Sequence, residues 1–203
     1  MGLSLSATVA NAAGLNRGGW IALGVMVGGS LSDAALAYVG FVRRCGWGLR
    51  EAGFTTPTRR LWHLLWWIPL TLVGGAIGAT ILSGVFGLSS SPESASTEGF
   101  QLGAPAAVLL VACLTTVIPA LEEIVCRRVL LDWCARFVPM WLAATIVTIA
   151  FAAAHVSPAA TVYLIFTSAS LTLARLWFGS LRATLLIHAA NNAVVSAIAL
   201  TAF

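Results

Sequence analysis

Thirty-eight consecutive residues, Phe137 to Ala174, carry no formally charged side chain, and this run fixes the medium in which the chain can fold. It exceeds the ~20 apolar residues needed to cross a bilayer, and lipid offers no partner for an open backbone amide, so helices are required. Ser157-Pro158 interrupts it, because proline cannot continue the helical hydrogen bonds, which predicts two helices meeting in a hairpin. The remainder has the same character: of 203 residues, 59% are hydrophobic and 9% charged, with a mean hydropathy of +0.94. The expectation is an all-α, polytopic transmembrane bundle of roughly six to eight helices, a single integral membrane domain with no sizeable soluble part.

The charges that are present set the topology. Eleven arginines and no lysine give a net charge of +4. Arginines flanking apolar spans are a topology signal, and nucleic acid is not an expected partner. Gly18 to Val42 can cross once, ending at Arg43-Arg44. The following loop, Arg43 to Arg60, sets five arginines against Glu51 and is assigned to the cytoplasm. A second span runs from Leu61 to about Phe86, with Trp62, Trp66 and Trp67 forming an interfacial belt and His63 at the boundary. Gly87 to Gly103 is serine-rich, acidic and free of arginine, an outer loop expected to be disordered or a short turn. The last span is Ala183 to Phe203. Cys45, Cys113, Cys126 and Cys134 lack ligand spacing and are read as membrane-buried thiols. The first residues lack a basic n-region, so no cleaved signal peptide is expected, only a short loose or interfacial segment.

Against this background Pro119 to Trp133 stands out, with two glutamates and two arginines in an apolar helix. A charge inside a span costs about 2.5–3.5 kcal/mol on insertion scales and is a site hypothesis by default. With no turn signal after Pro119, one helix of roughly Ala112 to Asp132 carries both carboxylates. Successive helical residues point about 100° apart, so Glu122 and Glu123 serve different ends. Glu123 and Arg127 stand at i,i+4 in the favourable order for an ion pair, leaving Glu122 as the free carboxylate. Asp33, beside Ser30 and Ser32, is read as a buried polar contact between helices.

Two imidazoles join Glu122. His155 follows Phe151 by four residues and His188 precedes Asn192 by four. Counting at 1.5 Å per residue from span centres near Glu122, residue 150 and residue 192, His155 lies roughly 8 Å and His188 roughly 6 Å from mid-depth. The three converge provided that the glutamate helix continues past Glu123. Glu122 can then take a proton from water, His155 can hold that water or share the proton, and His188 with the Asn192 amide can donate to a tetrahedral oxyanion. These are the parts of an amide hydrolase without a covalent intermediate. Two alternatives remain: a non-catalytic membrane protein and a proton-coupled transporter. The absence of an internal repeat speaks against the transporter.

The motifs Glu122-Glu123-Arg127, Phe151-His155 and His188-Asn192, in that order on three apolar helices, resemble the CPBP family, the type II CAAX prenyl endopeptidases and their bacterial relatives. The resemblance covers residue 104 to the end. It implies an intramembrane endopeptidase of a bacterial cell membrane, acting on a membrane-associated protein or peptide, lipidated or not. It further implies Glu122 and His155 as water-activating residues and His188 and Asn192 as oxyanion ligands. Family members acting in bacteriocin self-immunity give the non-catalytic alternative its form. Metal-dependent and metal-free mechanisms have both been ascribed to the family. With no HExxH present and Asn192 beside His188, no cofactor is the expectation here, catalytic zinc the alternative.

Overall fold

The computed structural model describes residues 17–87, 95–155 and 158–201. The N-terminal segment, most of the serine-rich stretch and Ser157 lie outside the described residues. Seven helices follow in order and no strand occurs among the described residues: α1 Arg17–Arg44, α2 Leu61–Phe86, α3 Ala95–Phe100, α4 Ala104–Cys134, α5 Met140–Ala153, α6 Pro158–Phe178 and α7 Leu181–Leu200. Five are long and apolar enough to span a membrane, and α5 is a shorter apolar helix. The chain is an integral membrane protein of the all-α class.

The glutamate helix is longer than expected. It starts at Ala104 rather than near Ala112 because nothing between those positions stops it, and its 31 residues outreach a bilayer core. Two stretches, Cys113–Val117 and Ile124–Leu130, are wound in wider i→i+5 turns. Pro119 follows the first of them, where the wider winding accommodates a residue that lacks an amide donor and needs space for its ring.

By contrast, α5 has 14 residues and rises about 21 Å, short of the ~30 Å core. The α5–α6 hairpin therefore turns back at depth, and His155 lies two residues past the end of α5.

α6 packs against α5 and α2, and α7 against α6, α2 and α4. Phe178, Leu171, Ala174, Ala183 and Ile187 are buried between them together with Trp67. Trp67 is thus an interior residue, not a member of the belt: its Nε1 donates to Ser170 Oγ at 3.0 Å and its ring meets Phe178. Trp62 and Trp66 are exposed about His63, whose Nδ1 accepts from Trp66 Nε1 at 3.1 Å. Nor is residue 95 onward a loose loop. α3 is helical because Phe100 inserts beside Ala107 and Leu110 of α4. Cys45 is exposed, since α1 ends before it, whereas Cys113 and Cys134 are buried.

The arginine-rich loop is bound to the turn between α6 and α7. Leu181 N donates to Gly53 O at 2.9 Å, Thr58 N to Phe178 O at 2.8 Å and Ser180 Oγ to Thr55 O at 2.6 Å. Arg182 Nε reaches Phe54 O at 3.0 Å. Gly53 and Gly179, at φ +94° and +63°, supply the backbone turns that bring the two segments together. The loop and the α6–α7 turn therefore share one end of the bundle, as alternation of the spans requires.

α2 and α6 approach closely through glycine. A Cβ on Gly75 lies 2.8 Å from the Tyr163 ring, one on Gly78 collides with Phe166, and one on Gly74 meets nothing within 4 Å. Gly78→Leu is expected to force α2 from α6 and cost about 1–3 kcal/mol by overpacking. Gly74→Ala should leave the melting temperature in detergent unchanged, and equal effects from the two would refute the contact.

Candidate active site

Glu123 is the buried anchor. Its carboxylate and the Arg127 guanidinium are both 0% exposed, with Arg127 Nη1 donating to Glu123 Oε1 at 3.1 Å. Two unscreened charges in such a medium persist only when each is paired and hydrogen-bonded. Arg127 Nη2 accordingly donates to Ser168 Oγ on α6 at 2.9 Å, and the guanidinium lies 4.4 Å from the Phe151 ring centroid on α5. The Glu123 carboxylate accepts from His188 Nδ1 on α7 at 2.9 Å. One ion pair thereby joins α4, α5, α6 and α7.

A carboxylate can only accept here, so His188 presents its other nitrogen outward. His188 Nε2 lies 3.4 Å from Glu122 Oε2. On the opposite side, His155 Nε2 lies 3.8 Å from Glu122 Oε1, while His155 Nδ1 donates to the Phe151 carbonyl at 2.9 Å. Glu122 thus has an imidazole nitrogen near each oxygen, and neither is so close that the pair excludes a third participant. Phe151 is buried between them, 4.9 Å from the His155 ring and 6.0 Å from the His188 ring. The exposures differ as the separate jobs require: Glu122 is 27% and His155 37% exposed, against 0% for Glu123.

Both open onto a cavity of about 580 Å³, walled by Leu121 and Val125 of α4, Ala154 after α5, and Leu36 and Phe41 of α1. Its polar lining is Glu122, His155, Cys126 and Asp33. Asp33 does not make the buried interhelical contact expected of it: it is exposed and faces this cavity. The reason is that Ser30 and Ser32 both turn their hydroxyls onto their own helix, toward Met26 O and Gly28 O.

Asn192 is not drawn into the Glu122–His155–His188 cluster. Its Nδ2 donates to Leu114 O of α4 at 2.8 Å, and its Oδ1 accepts from Asn191 Nδ2 at 3.3 Å. Asn191 is in turn held by Tyr163 Oη at 2.6 Å. Ser168 escaped the reading of the sequence, although Thr167, Ser168, Ser170 and Thr172 form a polar run inside a span and mark a face turned toward other helices. Among the described residues, no three His, Cys, Asp or Glu side chains are arranged to hold a metal ion.

Fold and site define a helical membrane protein in which a carboxylate and one imidazole line a cavity walled by its spans, with a second, buried imidazole against that carboxylate. Residues 104–194 match the family model described as type II CAAX prenyl endopeptidase, Rce1-like. Over that stretch, somewhat under half of the chain, it is similar to the CAAX protease-type membrane enzymes of the CPBP family. Glu122, Glu123, Arg127, Phe151, His155, His188 and Asn192 all fall within the matched stretch, whereas α1, α2 and α3 lie outside it. No curated protein and no solved structure matches.

Arg127→Ala leaves the Glu123 charge buried without its cation and is expected to cost about 3–5 kcal/mol, read as loss of folded protein in detergent. Ser168→Ala removes one acceptor of Arg127 and should cost about 1.5–3 kcal/mol. A fully stable Arg127→Ala protein would mean that Glu123 is held by something else.

Proposed function

We propose that the protein is an intramembrane endopeptidase in which Glu122 and His155 activate a water molecule and His188 binds the oxyanion. The observation that carries this is the placement of both imidazole Nε2 atoms around Glu122, at 3.4 and 3.8 Å, beside an apolar cavity. Glu122 takes a proton from water while His155 Nε2 accepts the other hydrogen and orients the oxygen toward the scissile carbonyl carbon. The C–O bond forms, and the carbonyl electrons move to oxygen. His188 meets that oxyanion through Nε2–H while its Nδ1–H stays on the Glu123 carboxylate. Glu122 then passes its proton to the amide nitrogen, the C–N bond breaks and the free amine and carboxylic acid leave. Water alone is consumed.

The substrate is a membrane-associated protein or peptide whose scissile bond reaches the level of Glu122 through the apolar walls. The lipid bilayer is the second partner, and the Arg43–Arg60 loop is assigned to the cytoplasmic side by its charge. Asn192 joins the oxyanion site by exchanging the Leu114 carbonyl for the substrate oxygen, so its contribution is smaller than that of Glu122.

Glu122→Gln should insert and fold normally yet lose at least about a thousandfold in cleavage, when membrane peptides are compared by mass spectrometry between cells with and without the glutamate. Full biological activity of Glu122→Gln would instead favour the non-catalytic role. Asn192→Ala should retain more activity than Glu122→Gln. Cleavage is expected to survive exhaustive chelation, and its abolition with restoration by added zinc would establish a metal-dependent mechanism.

A further inference from the structure

Asp33 is the one charged cavity residue to which neither the ion-pair network nor the chemistry gives a task. It stands near the middle of α1, outside the stretch matched to the family, and is exposed to the cavity that Glu122 and His155 share. Among the described residues it takes part in no hydrogen bond or ion pair. Ser30 and Ser32 are bonded to their own helix backbone, and no arginine lines the cavity. Apart from Glu122, Cys126 and His155, every other lining residue is apolar.

A carboxylate at mid-span with no cation is retained only where an interaction offsets its cost, and such residues mark substrate or ion pathways. The missing counter-charge has to come from what enters. It cannot be a second proton acceptor for Glu122, since no contact joins Asp33 to Glu122 or to either histidine. The requirement is for a cationic head on a flexible stem, reaching Asp33 while the peptide backbone lies against Glu122. Lysine and arginine side chains meet it, with their methylenes laid along the apolar walls.

We propose that Asp33 and the adjoining face of α1 form a subsite for one lysine or arginine side chain of the substrate, close to the scissile bond. This deepens the protease reading and rests on it. Asp33 is a specificity residue and takes no part in proton transfer.

The test uses the full chain carrying Glu122→Gln in nanodiscs, titrated by fluorescence anisotropy with labelled apolar peptides. Each bears a single Lys, Gln or Glu, placed in turn at successive positions. At one position the Lys peptide should bind about tenfold tighter than the Gln peptide, about 1.4 kcal/mol. Adding Asp33→Asn should remove that preference and leave affinity for the Gln peptide unchanged, and Asp33→Lys should turn it toward Glu. Equal affinities, a preference that survives Asp33→Asn, or binding of none of the peptides would each overturn the subsite. Cleavage of the same peptides by the protein with Glu122 intact separates the two ideas. Cleavage without a Lys preference removes the subsite alone, whereas a preference without cleavage leaves the subsite standing and removes the protease.

Discussion

The fold depends on a buried chain of charge that runs from Ser168 through Arg127 and Glu123 to His188. In water such contacts are nearly neutral exchanges with solvent. Between helices in lipid, no solvent competes, and an unpaired member is far costlier than a paired one is favourable. The chain therefore acts as a register lock. Arg127 and Glu123 pair within α4, but Arg127 can meet Ser168 and the Phe151 face, and Glu123 can meet His188, in one alignment of the helices only. His188 is positioned by the same lock, because its Nδ1 is one of the links.

Adjacent glutamates share a sequence address and have opposite fates. The roughly 100° step between neighbours on a helix points Glu123 into the bundle and Glu122 toward the cavity. The first is spent on structure and the second left accessible. A single glutamate could not do both, since the carboxylate paired with Arg127 is fully buried while that of Glu122 stays open to the cavity. The short helix α5 completes the arrangement by ending at depth, so that His155 arrives at the level of Glu122 from a turn rather than from mid-helix. Its Nδ1 is held by the Phe151 carbonyl four residues back, which explains in local terms why a phenylalanine and a histidine at that spacing belong together: the backbone fixes one ring nitrogen and the aromatic ring packs against the imidazole and the Arg127 guanidinium.

The first helix contributes a different kind of part. It lies outside the stretch matched to the family and is the least buried of the spans, yet it supplies Leu36, Phe41 and Asp33 to the cavity wall. Glu122 and His188 stand on α4 and α7 and His155 follows α5, and the wall facing Glu122 and His155 comes from α1. At the basic end, hydrogen bonds from the loop between α1 and α2 to the α6–α7 turn tie this wall to the family-matched part of the bundle.

The sequence by itself determined that the chain is a helical membrane protein and that Glu123 pairs with Arg127, because hydropathy and i,i+4 spacing are local properties of a chain in lipid, whereas the start of α4 and the shortness of α5 were not legible in it. It singled out Glu122, His155 and His188 for the same reason: ionisable groups in apolar spans are rare. Tertiary structure alone decided what each of them faces. Trp67 is a core residue since Ser170 of another helix receives its N–H, Asn192 turns to the Leu114 carbonyl, Ser168 stabilises Arg127, and Asp33 stands unpaired in the cavity. Each of these rests on a partner far away in the chain, and no periodicity within one helix records which neighbour a side chain will meet.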